Sequence, residues 1–118
     1  MSAVAEKIAG FTLSRRTLST NPLAKAFVQQ TIASSPQEGY ALACHALAAA
    51  ADPDFSTIKA EKVIVLAGKE DEVIPERIID YVKSTIPSAR IIWMEEIGHW
   101  HMLEDIPSMA IIFTEYLS

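Results

Sequence analysis

The sequence predicts an α/β fold with two parallel strands and a majority of helices, on three observations. Val63, Ile64, Val65, Leu66 and Ala67 form one continuous apolar run, and Ile91, Ile92, Trp93 and Met94 form a second. Runs of this kind mark strands buried on both faces, as in parallel sheets. Between and after them the apolar residues recur at helical spacing. The order strand, helix, strand, helix is a βαβ unit with one further helix, and its right-handed crossover makes the strands parallel.

Residues 1–35 carry no strand pattern. Leu23, Ala26, Phe27 and Ile32 recur at near-helical spacing, and Asn21-Pro22 has the form of a helix start with proline in the first turn. This stretch reads as short helices with irregular joins. Ser34-Ser35-Pro36-Gln37-Glu38 opens a clearer helix, with a hydroxyl cap first and an acid close behind. Tyr40, Leu42, Ala43, Ala46, Leu47 and Ala50 form its apolar stripe, and Asp52-Pro53-Asp54 stops it. After a connector with Phe55 and Ile58, residues 62–67 form the first strand. Residues 75–86 form a helix with Ile78, Ile79, Val82 and Ile86 on one face, broken by Pro87-Ser88. Residues 89–94 form the second strand. Residues 103–117 return to helix, with Met109, Ile112, Phe113, Tyr116 and Leu117 facing inward. Parallel sheets need both faces covered and their edges paired, so two strands do not suffice alone. The chain reads as the edge of a larger sheet.

The 118 residues, 50% apolar and 21% charged, suit one globular core and are too apolar for disorder. Fifteen acidic residues against 10 basic ones, with no basic cluster, argue against nucleic acid as a partner. No apolar stretch approaches the roughly 20 residues that span a bilayer, so no membrane partner is expected. The single cysteine, Cys44, has no internal disulfide partner, and no Cys-x-x-Cys spacing offers a metal or redox site. The N-terminus lacks the unbroken apolar core of a secretory signal, and the expected location is cytoplasmic. Its basic, hydroxyl-rich character (Lys7, Arg15, Arg16 and Lys25 against Glu6) leaves an organellar transit peptide as the alternative.

The candidate chemistry lies just past the two strands. Gly68-Lys69-Glu70-Asp71 follows the first, and Glu95-Glu96-Ile97-Gly98-His99-Trp100 follows the second. Ligands of open parallel sheets bind beyond the carboxyl ends of the strands. Neighbouring strands lie roughly 4.8 Å apart, so Asp71 and His99 meet if their loops turn inward. A buried carboxylate that accepts a hydrogen bond from an imidazole sets its tautomer and stabilises its protonated form. Gly68 and Gly98 suit sharp turns before each side chain, and Trp100 is placed to shield the pair from water. Taken singly, Asp71 reads equally as a cap for the helix near Pro75, and His99 as an ordinary loop histidine. Their matching topological positions favour the catalytic reading.

Other candidates are weaker. Cys44 and His45 are adjacent on a helix and point apart, so His45 is no base for Cys44, which reads as packing. His99, His101, Glu104 and Asp105 lack a third well-spaced ligand, so no metal is expected. Glu104 and Asp105 read instead as acids favouring the start of the last helix. Arg15-Arg16 reads as a solvated surface pair.

Apolar strand, Gly-x-x-Asp, amphipathic helix, second strand and Gly-His-Trp, with His99 28 positions after Asp71, resemble the C-terminal part of the α/β-hydrolase superfamily. Glu104, Asp105 and Pro107 fit the helix start that follows in that pattern. Ser35-Pro36-Gln37-Glu38-Gly39-Tyr40 with its alanine-rich helix is similar to the stretch between cap and core in the 3-oxoadipate enol-lactonase and related esterase group. The resemblance implies that residues 1–35 are the remnant of a helical cap. It implies that residues 36–118 are the C-terminal part of the core, holding its last two parallel strands. It makes Asp71 the triad acid and His99 the general base, with no cofactor and an ester or lactone as substrate. The sequence departs from the superfamily in one large respect. That family's nucleophile sits on a Gly-x-Ser-x-Gly turn, and none of the four glycines is followed two positions later by Ser, Cys or Asp. The oxyanion-hole loop is missing too. The expected activity of the chain alone is therefore nil or very weak. The rival expectation is a non-catalytic interaction module that dimerises, or docks on a complementary chain, through an exposed sheet edge.

Overall fold

A computed structural model describes residues 1–59 and 62–118. Three helices lead the chain: α1 (Ser2–Thr12), α2 (Arg15–Thr20) and α3 (Pro22–Ala33). The Ser14 side chain accepts a hydrogen bond from the Thr17 N–H and starts α2. Asn21 accepts from the Ala24 N–H and, with Pro22 in the first turn, starts α3 as the sequence predicts. The face of α3 that packs is Ala24, Val28 and Ile32, at strict four-residue spacing, with Val28 and Ile32 set against Ala5, Ala9 and Leu13. Small alanines on α1 let the helices approach closely. Leu23 and Phe27, part of the near-helical apolar pattern, are 80% and 56% exposed, because they lie off this face.

The next helix, α4 (Gln37–Ala49), stands where expected but differs in two ways. The hydroxyls of Ser34 and Ser35 do not cap it; both donate back to the Thr31 carbonyl. Its apolar stripe is not a core face. No residue of α4 is buried, Leu42 and Leu47 are 62% and 77% exposed, and only Tyr40 reaches the N-terminal cluster.

Strands β1 (Ile64–Gly68) and β2 (Arg90–Met94) pair in parallel, with Ile64 opposite Arg90 and Gly68 opposite Met94. Alternation sends their side chains to two helices. On one face α5 (Glu76–Thr85) and the residues after it bring Val82, Ile86 and Ala89 against Val63, Val65 and Ile91. On the other, α7 (Ile106–Leu117) brings Met109 against Leu66, Met94 and Ile97. The expected single helix over 103–117 is two, α6 (His101–Glu104) and α7, because Asp105 caps α7 by accepting from the Ser108 N–H and hydroxyl. Phe113 and Leu117, expected inside, are exposed. Both strands are mostly half-buried, since the two-stranded sheet has no further neighbour at either edge among the described residues.

The two glycines at the strand ends serve close approach and not turning, for no glycine has positive φ among the described residues. A Cβ on Gly68 would meet the Ile97 carbonyl oxygen at 2.5 Å, and one on Gly98 the Thr12 carbonyl oxygen at 2.5 Å and the Ser14 nitrogen at 2.8 Å. These are backbone atoms and do not move aside. Gly98→Ala is expected to cost about 2–3 kcal/mol by overpacking. Gly10→Ala, in α1 with nothing near a new Cβ, is expected to gain about 0.5–1 kcal/mol. Urea denaturation of both variants checks the contrast.

Candidate functional site

The loops that follow β1 and β2 are stitched together through their backbones. The Lys69 N–H donates to the Met94 carbonyl at 3.0 Å and the Glu70 N–H to the Ile97 carbonyl at 2.8 Å. The next residue, Asp71, is thereby held beside the His99 loop. Its Oδ1 accepts from the Val73 and Ile74 N–H groups at 2.8 and 3.0 Å, which orders the turn into α5. Its Oδ2 lies 3.0 Å from His99 Nδ1. The local turn and the pairing with histidine therefore coexist on the two oxygens, while Pro75 takes the N-cap position of α5 itself.

The Asp71 side chain is 6% exposed and that of His99 37%. Burial alone would push the Asp71 carboxyl up. The hydrogen bonds from Ile74, His99 and Val73, with the charge on His99, outweigh it and hold the carboxyl below its ordinary value. An ionised carboxylate only accepts, so Nδ1 carries the proton and donates it to Oδ2. That leaves Nε2 as the ring nitrogen without a proton, and none of the hydrogen bonds among the described residues involves it.

The imidazole is fixed from behind by the joint between α1 and α2. The His99 N–H donates to the Thr12 carbonyl at 2.7 Å. Trp100 turns toward the same residue, its Nε1–H donating to Thr12 Oγ1 at 2.9 Å, and stands edge-on to the imidazole at 6.4 Å between centroids. Arg15 lies at the surface as expected, with its side chain 90% exposed, and it also contacts the loop after β1. Its N–H and Nε–H donate to Glu70 Oε2 at 2.9 and 3.3 Å, one residue before the acid.

Glu104 is the residue that sequence reasoning missed. Its Oε1 accepts from the Gly98 and Trp100 N–H groups, both at 3.1 Å. Its Oε2 accepts from the Ser14 N–H at 2.8 Å and the Thr17 hydroxyl at 2.9 Å. It clamps the His99 loop to α2, where a dipole role at the start of a helix was expected. The only hint in the sequence is its position five residues after His99.

The four side chains considered for a metal go separate ways. His101 donates from Nδ1 to the His99 carbonyl at 3.1 Å, while Asp71, Ser108 and backbone donors engage His99, Asp105 and Glu104. No group of three or more His, Cys, Asp or Glu side chains converges among the described residues. Cys44 is exposed on α4. A cavity of about 140 Å³ opens at the pair, lined by Gly68, Asp71, Ile74, Ile79, Trp93 and His99 among others.

No protein-family model matches the chain, and no curated protein matches it. Among solved structures it is similar to Est816, described as an N-acyl homoserine lactone degrading enzyme, with a TM-score of 0.74 at 21% identity. The match covers 97% of this chain and 46% of that one. The likeness is one of fold, and the chain spans less than half the length of that neighbour.

Two outcomes are expected from these contacts. Glu104→Gln places an amide donor where two donors already point, and should cost about 2–4 kcal/mol in chemical denaturation. The lowered carboxyl of Asp71 adds stability that is complete above its ordinary value of 3.8 and is lost as pH falls through the lower native value. Stability curves below about pH 4 should therefore be flatter for Asp71→Asn than for the parent chain.

Proposed function

We propose that this chain supplies the acid and base of a hydrolytic site acting on a carboxylic ester or lactone. The observation that carries the reading is the 3.0 Å contact from His99 Nδ1 to the nearly enclosed Asp71, which leaves Nε2 without a hydrogen bond among the described residues. In this reading Nε2 takes the proton from an attacking hydroxyl, thiol or water, and Asp71 stabilises the imidazolium. The imidazolium then returns the proton to the leaving group. The similarity in fold to a lactone-degrading enzyme supports the substrate class. No cofactor takes part in such a reaction.

The nucleophile and the donors for the oxyanion would come from a further segment or partner chain, which also extends the sheet. Residues 1–35 would then be the end of a helical cap and 36–118 the C-terminal part of an α/β-hydrolase core. Without those parts the chain retains only general-base chemistry. It should hydrolyse p-nitrophenyl acetate slowly, with the excess over buffer abolished in His99→Ala and reduced at least about tenfold in Asp71→Asn. Equal rates for the parent and both variants would mean that the chain alone has no general-base activity toward this ester.

A second reading rests on the two open sheet edges and the unburied α4: an interaction module that self-associates or docks without catalysis. It predicts concentration-dependent mass in sedimentation equilibrium. A monomer at all concentrations would count against self-association.

A further inference from the structure

Asp71 holds the imidazole of His99, but the direction in which that side chain leaves the backbone depends on the two peptide groups that flank its Cα. The peptide before it is fixed, because the His99 N–H donates to the Thr12 carbonyl at 2.7 Å. The peptide after it is anchored at both ends. On one side the Trp100 N–H donates to Glu104 Oε1 at 3.1 Å. On the other is the His99 carbonyl, which stands just outside α6. That helix begins its ladder at the Trp100 carbonyl, which accepts from the Leu103 and Glu104 N–H groups at 2.8 and 2.9 Å. No backbone N–H among the described residues donates to the His99 carbonyl. Its donor is the ring of His101, whose Nδ1 lies 3.1 Å away. His101 is the first residue of α6, and helical side chains lean toward the helix N-terminus, which carries this ring back over the preceding loop.

A carbonyl oxygen only accepts, so Nδ1 of His101 carries a proton. The opposite nitrogen, Nε2, is buried without a hydrogen-bond partner, the only side-chain polar atom so placed among the described residues. The ring is therefore used at one edge alone. We propose that His101 is a positioning residue for His99, fixing the peptide after it through the Nδ1–H donor and so setting the imidazole against Asp71. Without that donor the carbonyl beside the site loses its partner, and the peptide pivots on the Glu104 contact alone. The donor matters and the rest of the ring does not. An asparagine amide places an N–H at about the reach of Nδ1, whereas leucine fills similar space with no donor. The proposal rests on the hydrolytic reading only for what the imidazole of His99 then does.

The test uses the full chain labelled with ¹⁵N at histidine and recorded where the rings are neutral. Ring ¹⁵N shifts show which nitrogen of His99 carries the proton. His99→Ala assigns its signals, and His45, exposed on α4, is the internal control. In the parent chain the His99 proton should reside on Nδ1. His101→Leu should lower the ratio of Nδ1–H to Nε2–H forms at His99 at least about threefold. His101→Asn should keep that ratio within about a factor of two of the parent, and His45 should not move in either variant. A ratio unchanged in His101→Leu would overturn the proposal. So would an equal fall in both variants, since ring packing and not the donor would then hold the loop. Should His101→Leu fail to fold, the folded His101→Asn decides: the parent's ratio supports the proposal and a lowered one overturns it. None of these readings uses hydrolysis. A ratio that responds as expected therefore stands whether or not an ester is turned over, and an unshifted ratio removes the positioning role while leaving the hydrolytic reading to its own assay.

Discussion

One carboxylate holds the N-terminal helices and the His99 loop in a single frame. Glu104 receives three backbone N–H groups, from Ser14, Gly98 and Trp100, and one hydroxyl, from Thr17. None of those N–H groups sits in a strand ladder or a helix interior, and each would otherwise need another partner. An ionised carboxylate has about four acceptor positions, and all are in use. Because the donors come from both sides of the joint, α2 cannot shift against the His99 loop without stranding several of them together. The histidine is oriented by the acid in front and by this joint behind.

The parts of the site carried by local patterns were readable before any fold was known. Asp71 and His99 each follow an apolar run at a strand end, and parallel pairing then brings them together. Asn21-Pro22 announced its helix for a similarly local reason. What was unreadable depends on partners far away along the chain. Glu104 meets Ser14 across 90 residues and Thr17 across 87, and an acid near a helix start has many commoner uses. Gly68 and Gly98 were recognised as special but for the wrong reason, since the space beside them is filled by carbonyls from other elements.

Apolar periodicity marked burial correctly on α5, where Ile79 and Val82 are enclosed, and misled on two other helices. The stripes on α4 and the later part of α7 are present in the sequence, yet Leu42, Leu47, Phe113 and Leu117 face outward. Periodicity reports a face that favours a partner and says nothing about which chain supplies it. The strands show the same thing in milder form: each has a helix over both faces and still leaves its backbone open at one edge.

The isolation of α4 has a dynamic consequence. A helix of 13 residues is near the length at which an unsupported helix is marginal in water, and no side chain of this one is enclosed. Its hydrogen bonds therefore open on their own, without disturbing the sheet or the Glu104 joint. Amide hydrogens of α4 would exchange with solvent long before those of β1 and β2, making this segment a separate cooperative unit of low stability. The same independence makes it the first place for a protease to cut, and such a cut would leave Asp71, His99 and their hydrogen bonds in place.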